Sequence, residues 1–114
     1  GIDAMITPDT QVIFLESPGS LTLEIQDVPA IMRVAKARGI ATIIDDTWSA
    51  GLYFKPFDHG IDVSVQALTK YQAGHADVDE GFAQLVAGVG RAQARLVPRA
   101  VVQLDHVRMV VVAA

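Results

Sequence analysis

The chain has no cysteine among its 114 residues. That excludes disulfides, a thiolate zinc site, an iron–sulfur cluster and a cysteine nucleophile. Three histidines leave little material for a histidine metal site. Positive charge is not in excess either. The formal net charge is −4, which argues against a nucleic-acid backbone as partner, because proteins that bind one carry a basic surplus. No apolar run approaches the roughly 20 residues that span a bilayer; the string at 109–114 is far too short. The opening Gly1-Ile2-Asp3-Ala4 lacks the basic start and apolar segment of a secretion signal. There is no Gly-x-Gly-x-x-Gly and no P-loop, so a generic nucleotide-binding α/β module is disfavoured. The chain starts without Met and stops inside an apolar run; both features predict a piece of a longer protein.

What is present is apolar. At 51% hydrophobic and 19% charged, the composition predicts one folded domain rather than a disordered chain. Gln11-Val12-Ile13-Phe14-Leu15 and Ile40-Ala41-Thr42-Ile43-Ile44 read as buried parallel strands, covered by helices on both faces. Between them, Asp27 followed by Pro29 marks a helix start and Gly39 a helix stop. Ile31, Val34 and Ala35 share one face of that helix, and Arg33, Lys36 and Arg38 are biased away from it. The order strand, helix, strand is a βαβ crossover. Ile61-Asp62-Val63-Ser64-Val65 alternates like a third strand. After Asp79 the composition shifts to Ala, Val, Gly and Arg. Residues 83–96 read as a helix weakened by Gly88 and Gly90 and ended by Pro98.

In an open α/β sheet, ligands collect beyond the carboxyl ends of the parallel strands. Three polar clusters stand there: Glu16-Ser17-Pro18-Gly19-Ser20, Asp45-Asp46-Thr47-Trp48 and Thr69-Lys70-Tyr71. A lone Lys70 is by default a solvated surface lysine, and a lone Asp45 a turn residue. Asp46 reads equally as solvated or as sharing a site with Asp45. Taken together, Lys70 and Asp45 match what a pyridoxal phosphate site requires. A desolvated amine condenses with the aldehyde, and a carboxylate keeps the pyridine nitrogen protonated. Thr69 is placed to bind the phosphate. His59 and His75 read as structural histidines, and His106 carries no argument. Trp48, Tyr53, Phe54 and Phe57 read as core or loop packing. Ser17 and Ser20 lack the Gly-x-Ser-x-Gly setting of a nucleophile elbow.

Four segments in order carry a resemblance: 14–22 (Phe-Leu-Glu-Ser-Pro-Gly-Ser-Leu-Thr), 26–29 (Gln-Asp-Val-Pro), 44–48 (Ile-Asp-Asp-Thr-Trp) and 60–77, with Ala67-Leu68-Thr69-Lys70-Tyr71 at its centre. Over residues 10–78 the chain resembles the Cys/Met-metabolism enzymes that depend on pyridoxal phosphate. The resemblance implies an α/β fold: a fragment of the type I, aspartate-aminotransferase-like large domain with mainly parallel strands, over residues 1–80. Residues 81–114 then form a poorly matching tail, of the composition that a shifted reading frame in GC-rich DNA produces. The resemblance makes Lys70 the Schiff-base lysine and proton acceptor, Asp45 the partner of the pyridine nitrogen, and Thr69 a phosphate ligand. Ser20 joins them as a cofactor contact. The Glu-Ser-Pro-Gly-Ser form is similar to that of β-lyases, since γ-synthases and γ-lyases usually have Asn at the position of Ser20. The implied reaction is α,β-elimination of cystathionine to homocysteine, pyruvate and ammonia in methionine biosynthesis. The implied substrate is a small sulfur amino acid. The implied parent is a cytoplasmic homo-oligomer, a tetramer built from dimers, without nucleic-acid or membrane partners; a γ-synthase or γ-lyase relative is the alternative.

Departures from the family pattern are local. Asp46 stands where Asn is usual, Ala67 where Ser is common, and Ala76 where Ser is usual. The family's upstream phosphate loop, its ring-stacking Tyr, the Tyr and Arg given by a neighbouring subunit and the substrate-carboxylate Arg have no counterpart in the chain. The isolated chain is therefore expected to be an inactive remnant.

Overall fold

The computed structural model describes residues 1–67, 70, 71, 84–89 and 109–112. Strands β1 (Val12–Glu16), β2 (Ala41–Asp45) and β3 (Val63–Ala67) are parallel neighbours, five residues each. Along each, burial alternates, because successive side chains leave a strand on opposite faces. Helix α1 (Val28–Arg38) connects β1 to β2. Its start is fixed by Asp27, whose Oδ1 accepts the Ala30 N–H at 2.9 Å, with Pro29 in the first turn. Its end is fixed by Gly39 at φ +65°, a left-handed conformation that lets the Ile40 N–H reach back to the Ala35 carbonyl at 3.0 Å.

The core lies between α1 and one face of the sheet. Ile31, Met32 and Ala35 pack with Ile13, Leu15, Ile44 and Ile61. Val34 is only partly buried at its margin, while Arg33, Lys36 and Arg38 face water. Among the described residues α1 covers one face alone. The other face, with Phe14, Ile43 and Val65, is half-buried, so the expected helix layer on both sides is seen on one.

Two further strands complete the sheet in the order β4-β3-β2-β1-β5. Strand β5 (Met109–Val112) runs parallel to β1 at one edge. Strand β4 (Gln84–Val89) runs antiparallel to β3 at the other. The helix expected over 83–96 is thus a strand through residue 89. Gly88 is unfavourable in a helix, and here its backbone pairs opposite Ser64. Both edge strands come from the compositionally distinct stretch after residue 81.

Strand β3 begins at Val63 rather than Ile61. Asp62 Oδ2 accepts both the N–H and the hydroxyl of Thr42 at 2.9 Å, and Thr42 Oγ1 accepts the Asp62 N–H at 3.1 Å. The Thr42 N–H is therefore taken by a side chain, and the β2–β3 pairing starts one residue later, at Ile43 opposite Val63. Among the described residues no helix is long and apolar enough to cross a membrane.

Candidate functional site

Because β1, β2 and β3 are parallel, their carboxyl ends open on the same edge of the sheet, and a cleft of about 590 Å³ lies there. Glu16 ends β1 and stands in register with Asp45 at the end of β2, so two half-buried carboxylates leave the sheet side by side. Both line the cleft, as do Ser20, Lys70 and Tyr71. Ser20 donates its hydroxyl proton to Glu16 Oε1. Thr47 and Trp48 form part of the wall beyond β2.

Lys70 follows β3 by three residues. Its N–H donates to the Ala67 carbonyl at 3.1 Å, which ties it to the end of the strand. Lys70 and Tyr71 are exposed to solvent at the cleft. Asp45 Oδ1 accepts the Thr47 N–H at 3.0 Å and the Thr47 hydroxyl at 2.5 Å. The same Thr47 oxygen accepts the Ala67 N–H at 2.8 Å. One hydroxyl thus orients the carboxylate and secures the end of the strand that leads to Lys70.

Asp46 points away from its neighbour. It is fully buried, accepts from the Ser49 hydroxyl and from the Gly51 N–H at 2.9 Å, and lines a second, smaller cavity. Burial pushes its carboxyl above the ordinary value of 3.8; the two hydrogen bonds oppose the shift and the Asp45 charge adds to it. Sequence neighbours at a strand end therefore serve opposite faces.

Of the residues proposed from sequence, Lys70, Asp45 and Ser20 meet in the cleft. Thr69, His75 and His106 lie outside the described residues. Glu16 and Thr47 join the site without having been singled out; the signal that finds them is strand register for the first and hydroxyl placement for the second. The aromatic expectation fails for three of four residues. Trp48 is 50% exposed, Tyr53 92% and Phe57 39%. Only Phe54 packs against the core, with its ring stacked on His59 at 4.7 Å. Among the described residues no group of His, Asp or Glu could hold a metal ion.

A primary amine, a strand-end carboxylate and a serine hydroxyl around one open cleft form a donor set that fits pyridoxal phosphate. A sequence model of the Cys/Met metabolism PLP-dependent enzymes matches residues 1–98. The chain belongs to this family. Its members depend on pyridoxal phosphate, and its fold is the α/β fragment expected from the motifs. The match runs past residue 78, where the motif resemblance ends, and past the compositional change after Asp79. The chain is 52% identical over 82 residues to the cystathionine beta-lyase of Escherichia coli, covering 68% of this chain and 20% of that protein. It is 45% identical over 80 residues to an L-alanine/L-glutamate racemase of Wolbachia pipientis, covering 70% of the chain and 20% of that protein. A cystathionine gamma-lyase of Lactobacillus plantarum, solved with L-serine, superposes with a TM-score of 0.63 at 39% identity, over 68% of this chain and 20% of that one. The chain thus spans about a fifth of the length of these relatives, and their named reactions differ.

Proposed function

We propose that the chain is part of a carbon–sulfur lyase dependent on pyridoxal phosphate, cleaving cystathionine by α,β-elimination to homocysteine, pyruvate and ammonia. The observation that carries this reading is that Lys70 and Asp45 line one cleft at the carboxyl ends of parallel strands. Support for the β-reaction comes from the relatives named cystathionine beta-lyase and from Ser20 at the position where γ-enzymes usually have Asn.

Bound in the cleft, the cofactor supplies an electron sink for the pair left on the substrate Cα. The chain supplies the rest. Lys70 Nζ would hold the cofactor aldehyde carbon and, once the substrate amine displaces it there, would be free to take the Cα proton. Asp45, oriented by Thr47, would keep a proton on the pyridine nitrogen. Ser20 would contact the cofactor, and Thr69 would bind its phosphate. The substrate is a small sulfur amino acid, and the whole protein is a cytoplasmic homo-oligomer, a tetramer built from dimers. The 114-residue chain alone turns over little substrate, because a cleft this open excludes water poorly.

The test is borohydride reduction after incubation with pyridoxal phosphate, followed by peptide mapping. The chain has three lysines, Lys36, Lys55 and Lys70. The pyridoxyl group is expected on Lys70; labelling chiefly on Lys36 or Lys55 overturns the assignment. For the reaction itself, the whole protein is expected to release pyruvate from cystathionine. The structural likeness to a cystathionine gamma-lyase favours a second reading, γ-elimination, and release of 2-oxobutyrate instead of pyruvate would establish it.

A further inference from the structure

Asp46 is the fully buried carboxylate among the described residues, and the cleft chemistry above does not use it. Its contacts all serve one short turn. Its N–H donates to the Val65 carbonyl at 2.9 Å, which fastens the start of the turn to β3. Its own carbonyl accepts the Ala50 N–H at 2.9 Å. One carboxylate oxygen accepts from the Ser49 hydroxyl, the other from the Gly51 N–H. Ser49 Oγ is also within 3.3 Å of the Phe54 carbonyl. The turn needs such fastening. Ala50 sits at φ +51° and Gly51 at φ +71°, two successive left-handed residues of which only the second is a glycine. Between the anchor and these residues lie Thr47 and Trp48, both in the wall of the cleft.

We propose that Asp46 is a positioning residue: its buried carboxylate anchors the 46–51 turn through Ser49 and Gly51, and so holds Trp48 at the cleft wall. It acts through the turn and touches neither substrate nor cofactor. Among the described residues the charged groups around it are Asp45 beside it in the chain and, lining its own cavity, the exposed Lys55 and Asp58; Ser64 and Gln66 there are neutral.

Hydrogen-bond chemistry separates the carboxylate from its shape. An Asn at this position can accept the Gly51 N–H with its oxygen and donate its amide to Ser49, which then donates to the Phe54 carbonyl. The turn keeps its geometry and loses its charge. An Ala leaves Ser49 and the part-buried Gly51 N–H with no side-chain acceptor.

Trp48 is the sole tryptophan of the chain, so the longest-wavelength near-UV circular dichroism reports this turn alone. The measurement uses the 114-residue chain without cofactor, and its outcome is independent of whether the cleft binds pyridoxal phosphate. The Asp46→Ala variant is expected to lose most of the indole band while its far-UV spectrum stays native. The Asp46→Asn variant is expected to restore the band. A folded Asp46→Ala variant with the full wild-type band overturns the proposal. Where Asp46→Ala does not fold, Ser49→Ala decides: it removes one of the two contacts, a weakened indole band supports the anchor, and an unchanged band overturns it.

Discussion

The Thr47 hydroxyl joins Asp45 to the end of β3, donating to Asp45 Oδ1 at 2.5 Å and accepting the Ala67 N–H at 2.8 Å. A single oxygen therefore couples the orientation of a cleft carboxylate to the strand end that delivers Lys70. Thr47→Val keeps the shape and removes both functions, leaving a part-buried N–H without its acceptor. The expected loss is about 1–3 kcal/mol of folding stability. Thr47→Ser retains the oxygen and is expected to stay close to wild type. Urea unfolding of the two variants checks this, and equal midpoints for Val and wild type contradict it.

Asp62 does for the start of β3 what Thr47 does for its end. One of its oxygens satisfies two donors of Thr42, which is wholly buried. Asp62→Ala orphans both donors in the interior, for an expected cost of about 1–3 kcal/mol for the first unsatisfied group alone. Asp62→Asn can still present an oxygen to Thr42 and is expected to cost less. The ordering of the two denaturation midpoints is the measurement.

Local signals were legible from residue types, and signals that depend on register were not. Asp27 and Gly39 bound α1 because capping is settled within a few residues by hydrogen bonds the chain makes with itself. The three parallel strands were legible as apolar runs, but β3 lay two residues further along because Asp62 spends its backbone and side chain on Thr42. The Ala-, Gly- and Val-rich stretch around Gly88 fits a helix or a strand by composition, and only pairing with β3 decides. At the site, Lys70 and Asp45 stood out because strand ends are where α/β sheets bind ligands. Glu16 needed the β1–β2 register to be placed beside Asp45. The split between Asp45 and Asp46 follows from the alternation of a strand, continued one residue past its end.

The buried charge of Asp46 has a pH signature in stability. Burial lifts its folded-state carboxyl above the ordinary 3.8 of the unfolded chain. Folding then favours the protonated form, so this group's contribution is complete below 3.8 and is lost as pH rises through the lifted value. The buried negative charge thus costs the fold stability at neutral pH. Asp46→Asn, which has no charge to bury, is expected to be more stable than wild type at neutral pH, with the gap closing on acidification below 3.8. Urea midpoints across a pH series measure the gap. A variant that is no more stable at neutral pH contradicts the burial argument.

The proposed grip of Asp45 on the pyridine nitrogen is separable from the general acidity of the cleft, because Glu16 stands beside it in register and lines the same space. A hydrogen bond to a charged group contributes about 1.5–3 kcal/mol. Losing it corresponds to roughly ten- to a hundredfold weaker cofactor retention at about 1.4 kcal/mol per decade. In the whole protein, Asp45→Ala is expected to release pyridoxal phosphate that much more readily on dialysis, while Lys70 can still be trapped by borohydride. Glu16→Gln removes a neighbouring charge without touching the proposed contact and is expected to change retention little. Equal losses in both variants would assign the effect to the shared negative potential of the cleft and remove the specific role from Asp45. A loss confined to Asp45→Ala would mean that one carboxylate of the pair, the one steered by Thr47, faces the ring.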